Sequence, residues 1–192
     1  MRFAPLTASY VANLRATVLH FGNYQLEFVY RITREEQRAE AVAFWLAQGA
    51  LANRPVAERR AFELVCLVRR GDGALAGVST AAVQTGADGR LYYAYRMFLR
   101  PEDRVPYLMW SVTDASRDGL RELELPGPRP AGMWIVTENR KLMRPGMRRS
   151  FQRHGYEYRG RTAHGLDRWL APFSPPPPGE GPGEREPRLS TP

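Results

Sequence analysis

The chain has 192 residues, 43% of them apolar and 25% charged, with a formal net charge of +8. That length implies one domain with or without a tail; no apolar run approaches the ~20 residues of a membrane helix, and no signal-peptide core opens the chain. A single cysteine, Cys66, excludes an internal disulfide framework and a cysteine-cluster zinc site, so a soluble protein of the reducing cytoplasm is expected, with no membrane partner.

In the first twenty residues Leu6, Tyr10, Leu14 and Val18 recur at fours, with Val11 and Leu19 beside them. That periodicity predicts a helical extension over 1–25, covering either the sheet or a second subunit of a homodimer. Leu26–Ile32 alternates as a strand, and Thr33 followed by Glu36 reads as a capping box. A helix from about Arg34 to Gln48 then presents Ala39, Val42, Ala43 and Leu46 on one face and stops at Gly49.

After a short helical piece near Pro55–Arg60, three strands follow: Phe62–Arg69, Leu75–Gln84 and Leu91–Leu99. The turns Gly71-Asp72-Gly73 and Gly86-Ala87-Asp88-Gly89 join them into an antiparallel meander. Pro101-Glu102-Asp103 forms a loop into a helix with Leu108, Val112 and Ala115 inward, ended by Gly119. Pro126–Pro130 is a stiff connector, and Met133–Thr137 a short apolar strand. A helix opening near Arg144-Pro145 buries Met143, Met147 and Phe151 and stops at Gly155. Strands beginning at Tyr156 and over Gly165–Trp169 complete the fold. The expected class is α/β (α+β), a mixed and mostly antiparallel central sheet flanked by helices. The ordered domain is assigned to 26–172 and a proline-rich disordered tail to 173–192, since Ser174–Pro192 holds seven prolines and almost nothing apolar.

Candidate chemistry is sparse. Residues 139–153 carry Arg140, Lys141, Arg144, Arg148, Arg149 and Arg153 and no acid, a basic helix suited to phosphates or to nucleic acid. His20, His154 and His164 are isolated, so no metal site is expected. Cys66 reads as a small buried hydrophobe in its strand, and Trp45, Trp110, Trp134 and Trp169 read as core.

The element order resembles the acyl-CoA N-acyltransferase superfamily, the Gcn5-related N-acetyltransferase (GNAT) fold. The similarity is greatest over Ile135–Glu157, where an apolar strand leads into Thr137-Glu138-Asn139, a basic helix and Arg153-His154-Gly155-Tyr156-Glu157. Leu99-Arg100-Pro101-Glu102-Asp103-Arg104 resembles the family's approach to its coenzyme A loop, which is written Arg/Gln-x-x-Gly-x-Gly/Ala. Here those offsets read Arg104-Val105-Pro106-Tyr107-Leu108-Met109, with both glycine positions bulky and one amide donor lost at Pro106. The tyrosine that many members place four residues before the glycine ending the last helix is Phe151.

The resemblance implies transfer of an acetyl or other acyl group from acyl-CoA to a primary amine, without a metal. It places the thioester oxygen on a strand amide near Met97 or Phe98. Coenzyme A would meet Arg104, Val105, Tyr107, Asn139, Arg144 and Arg148, with Arg140 and Lys141 also within reach of its phosphates. Glu102, Asp103 and Glu138 are the carboxylates nearest the strand ends, and Asn139 is either a pantetheine contact or a helix cap. Tyr156, Tyr107 and Tyr158 are the phenols available in place of Phe151. The alternative is a non-catalytic domain of the same fold that binds nucleic acid or a protein through its arginine-rich helix.

Overall fold

Two tight turns organise the middle of the chain. Asp72 Oδ1 accepts the Ala74 amide (2.9 Å) in the first, and Asp88 Oδ1 accepts the Arg90 amide (3.1 Å) in the second. Between and around them the computed structural model places strands β3 (Leu64–Arg70), β4 (Leu75–Thr85) and β5 (Leu91–Leu99) as the expected antiparallel meander. The structure describes residues 18–124 and 126–173.

Strands β1 (Val18–Phe21) and β2 (Tyr24–Phe28) add to the β3 edge, while β6 (Gly132–Val136), β7 (Glu157–Arg161) and β8 (Asp167–Pro172) build the other side. The described residues form an eight-stranded sheet in the order β1-β2-β3-β4-β5-β6-β8-β7, antiparallel except where β5 meets β6. Four helices flank it: α1 (Glu35–Ala47), α2 (Arg54–Ala61), α3 (Leu108–Glu122) and α4 (Pro145–Arg153). Helices α1 and α2 bury Ala41, Val42, Trp45, Ala57 and Ala61 against Leu64, Leu67 and Val78 on one face. On the other, α3 lays Leu108 and Val112 on Leu26, Cys66, Val68 and Leu99. Burial pushes the Cys66 thiol up to about 12, so it stays protonated and serves as packing.

Several expectations are corrected. Val18 and Leu19, expected to close an N-terminal helix, lie in β1; residues 1–17, and the tail from Ser174 onward, are outside the described residues. The strand expected over Leu26–Ile32 ends at Phe28; the Val29 amide makes one more bond to the Val65 carbonyl (2.8 Å), and Arg31 then turns the chain at φ +67°. The capping partner of α1 is Gln37, whose Oε1 accepts the Arg34 amide (2.9 Å), while Thr33 Oγ1 donates back to the Val29 carbonyl (2.9 Å). Trp45 rotates α1, so Ala41 and Val42 face the sheet and Ala39 and Ala43 face water. Helix α3 runs past Gly119, where a side chain would collide with the Phe28 ring. Phe62, 71% exposed, caps α2 rather than opening β3.

An aromatic cluster holds α3 and α4 together. Trp110 meets Phe151 edge-on (4.9 Å), and Phe151 stacks on Trp169 (4.8 Å). His154, not isolated after all, stacks on Trp110 at 4.0 Å and shares a hydrogen bond between its Nδ1 and Asp114 Oδ2 (3.0 Å).

Candidate functional site

The only parallel pair among the described strands, β5 with β6, is short. Its register runs from Tyr93↔Met133 through Ala94↔Trp134 to Tyr95↔Ile135 and stops there. Strand β5 continues to Leu99 on β4, and β6 continues to Val136 on β8. The sheet therefore forks after Tyr95 and Ile135.

Strand alternation decides what backbone the fork presents. The Leu91 carbonyl accepts the Ala131 amide (2.7 Å) on the β6 side, and the Arg100 amide donates to the Ala76 carbonyl (2.9 Å) on the β4 side. Because successive peptide groups point to opposite edges, odd residues of β5 face β6 and even ones face β4. Met97 thus turns its amide into the fork, beyond the last β6 partner, while Phe98 is paired with Val78 on β4. Leu99, the next odd residue, has its carbonyl taken by Arg104 Nε (3.0 Å). Partly buried Met97, Met109, Leu142 and Met147 lie against this end of the aromatic core. The three methionines among them, unbranched thioethers, rearrange at small cost.

The approach to α3 is held by a buried carboxylate. Asp103, 2% exposed, accepts from Arg70 Nε (2.7 Å), Arg100 Nε (2.8 Å) and the Tyr24 hydroxyl (3.1 Å). Glu102 instead points outward against Arg100 (3.1 Å). The loop then reaches Tyr107, the N-cap of α3, at φ +65°, a residue 75% exposed. This is the first glycine position of the resembled loop, and it keeps the left-handed backbone that favours glycine. Val105 donates its amide to the Asp103 carbonyl (2.9 Å), and the first i→i−4 bond of α3 runs from Ser111 to Tyr107. The amides of Met109 and Trp110 before it are first-turn donors that a helix leaves unpaired. Tyr107→Gly is expected to stabilise the fold by about 1 kcal/mol by relieving the left-handed tyrosine; an unchanged or lower urea midpoint would count against that backbone.

On the other branch, Asn139 caps a short 3-10 turn, its side chain accepting the Lys141 amide (3.0 Å). Thr137, almost fully buried, donates both amide and hydroxyl to the Asp167 carbonyl (3.0 and 3.2 Å). Arg148 does not face solvent freely. It grips the buried Asp167 carboxylate through Nε (2.7 Å) and Nη2 (2.8 Å), and its guanidinium lies over Tyr158. The Tyr158 hydroxyl donates to the same Asp167 (3.3 Å). Arg140, Lys141 and Arg144 have no acidic partner among the described residues.

Tyr156 sits inside the aromatic core, 2% exposed against Phe151 and Trp110, with its hydroxyl unpaired. Burial pushes its phenol far up, which makes it a poor proton donor. The structure thus brings Met97, Tyr107, Asn139 and Arg144 to the fork's two branches and commits Arg104, Asp103 and Arg148 to internal bonds.

The opposite face of the fork was not read from the sequence. Tyr92, Ala94 and Arg96 alternate with the core-facing Tyr93, Tyr95 and Met97, and share their face with Trp134 and Val136. With the β4–β5 turn and the β7–β8 hairpin they line a cleft of about 700 Å³. Tyr92 packs on Trp134 (5.4 Å) and donates its hydroxyl to Asp88 Oδ2 (2.6 Å); that bond and Arg90 hold the Asp88 carboxyl down at about 2. Trp134, expected in the core, is a wall of this cleft. A lone arginine flanked by the small Ala94 in an otherwise tyrosine-rich strand was the available signal.

No family model matches the sequence, and no curated protein matches it. Solved structures do. A ribosomal-protein-S5-alanine acetyltransferase from Vibrio fischeri superposes with a TM-score of 0.55 at 9% identity, covering 80% of this chain and 94% of that one. GNAT-family acetyltransferases from Bacillus cereus (TM-score 0.52, 12% identity, 79% and 98% covered) and Listeria monocytogenes (0.50, 14%, 80% and 98%) align likewise. At such identities the likeness is one of architecture alone. The chain has the Gcn5-related N-acetyltransferase fold.

Proposed function

We propose that the protein transfers an acyl group from a coenzyme A thioester to a primary amine. The observation that carries this reading is the Met97 amide, turned into a fork of the sheet where β6 offers it no partner. A preset amide donor of that kind stabilises the oxyanion that forms when an amine attacks a thioester carbonyl.

The thioester arm enters from the α3–α4 face. Its pyrophosphate meets the first-turn amides of Met109 and Trp110 in α3, where the helix dipole is positive, and Arg144, Arg140 and Lys141 supply cations from the other branch. The amine approaches from the cleft on the α1–α2 face. Its nitrogen bonds to the carbonyl carbon, the carbon–sulfur bond breaks, and coenzyme A leaves as a thiolate that takes its proton from water. The proton lost by the amine passes to water beside Glu138, which lines the cleft and sits 3.6 Å from Arg96. Asn139 acts as a cap, and Glu102 and Arg104 set the loop.

The test is the melting temperature with acetyl-CoA, paired with release of free thiol in the presence of an amine panel. At a hundredfold excess over Kd, linkage gives about 2.7 kcal/mol of stabilisation, which is roughly 5–10 °C for a domain of this size. A saturable shift of that order, reproduced by coenzyme A and not by inorganic phosphate, supports the reading. No shift at millimolar acetyl-CoA overturns it.

A further inference from the structure

The cleft opposite the thioester side has a charge pattern of its own. Its wall carries three guanidinium groups, Arg96, Arg159 and Arg168, against two carboxylates, Asp88 and Glu138. Two of the five are already committed: Arg159 bonds to Glu157, and Asp88 is bonded by Arg90 and Tyr92. Arg168 lies over the Trp134 ring at 5.0 Å and has no acidic partner among the described residues. Arg96 faces Glu138 at 3.6 Å, too long for a good hydrogen bond and easily exchanged. Arg96 also presses on Arg60, whose guanidinium is held below its usual range first by burial and then by Arg96. The surplus is therefore one positive charge, held by two planar donors that flank the fork.

Position sharpens this. Arg168 is in register with Val136, the last residue of β6, and Arg96 directly precedes Met97 on β5. Both stand at the mouth through which an amine would reach the Met97 amide. The floor between them and the Tyr92–Trp134 pair is Ala94, whose small side chain leaves room for a ligand. The volume suits a small molecule.

Resting on the transferase reading, we propose that the acceptor is a small amine that bears a carboxylate, with Arg96 and Arg168 gripping the carboxylate while the amine enters the fork. A guanidinium fork matches a carboxylate through paired hydrogen bonds, and Glu138 beside it disfavours a dianion. Trp134 and Tyr92 provide the apolar wall for the rest of the molecule.

The experiment measures binding separately from turnover. Thermal-shift titrations of the full chain use alanine, glutamate and phenylalanine, each beside its α-carboxamide, and acetyl transfer from acetyl-CoA is followed to the same six amines. At least one acid is expected to bind about tenfold or more tightly than its amide, as loss of a charge-assisted pair implies. Arg168→Gln and Arg96→Gln should each erase that preference, while Arg121→Gln on the far face preserves it. Amides that bind as well as acids throughout, or no saturable shift with any of the six, overturn the proposal. Acids that bind without any transfer would sink the transferase reading and leave the carboxylate site standing; transfer that favours the amides would do the reverse.

Discussion

Replacing Met97 by proline is expected to leave the chain folded and to lower acyl transfer about 100- to 1,000-fold, the usual cost of deleting one oxyanion donor. The asymmetry comes from where the amide points. Met97 N–H faces the fork, past the last β5–β6 register pair, so proline removes no ladder bond. The residue before it, Arg96, is already extended in β5, which is the conformation proline demands of its predecessor. Phe98, one residue on, faces β4 across from Val78, and Phe98→Pro should break the ladder and lose most of the folded population. The measurement is kcat for acetyl-CoA-dependent thiol release together with the melting temperature of both variants. Full activity in Met97→Pro would remove the amide from the mechanism, and unfolding equal to that of Phe98→Pro would refute the alternation on which it rests.

The meander, the two hairpin turns and the later strand–helix–strand order were legible because each rests on local chemistry. Period-two alternation, Asp-Gly turns and a proline at the first turn of α4 all act within a few residues. What the sequence could not show were the choices made by tertiary partners. Ala39 and Ala43 satisfy the helical spacing as well as Ala41 does, but the bulk of Trp45 decides which face turns inward. Gly119 reads as a helix stop until the Phe28 ring is seen against it.

The candidate site divides in the same way. The loop and the basic helix are contiguous in sequence and were found. The fork, by contrast, is a mismatch between the length of β5 and the short register of β6, visible only once they pair. It also narrows the oxyanion candidates, since the alternation selects Met97 over Phe98. Arg148 shows the opposite failure. Counted as a phosphate ligand by its place in a basic run, it is bound to Asp167, nineteen residues away, through two hydrogen bonds. At Tyr107 the backbone is left-handed, the conformation that glycine adopts without strain, although a tyrosine stands at that position.

Asp103→Ala is expected to destabilise the fold by about 3 kcal/mol, at the lower end for breaking a buried charge pair because Arg70 is partly solvated. That corresponds to roughly 6–12 °C in melting temperature. Three donors converge on this carboxylate from three elements: Tyr24 at the start of β2, Arg70 at the end of β3, and Arg100 just beyond β5. Removal leaves the Arg70 and Arg100 guanidiniums facing each other with only the exposed Glu102 carboxylate beside Arg100, and it frees the turn that aims the loop into α3. Burial alone would raise the Asp103 carboxyl, yet the bonds from Arg70, Arg100 and Tyr24 together hold it below its usual range. A carboxylate depressed in the folded state contributes stability that is present above its unfolded value near 4 and is lost as the pH falls through the lower folded value. The wild-type melting temperature should therefore drop below about pH 4 more steeply than that of Asp103→Asn, whose side chain cannot titrate. Urea denaturation at pH 7 and pH 3 separates the two: a difference between wild type and Asp103→Asn that is as large at pH 3 as at pH 7 would mean that Asp103 contributes no charge to this clamp. The same variant should weaken acetyl-CoA binding more than it changes the carboxylate preference of the cleft, because Asp103 fixes the α3 branch of the fork and none of the cleft wall.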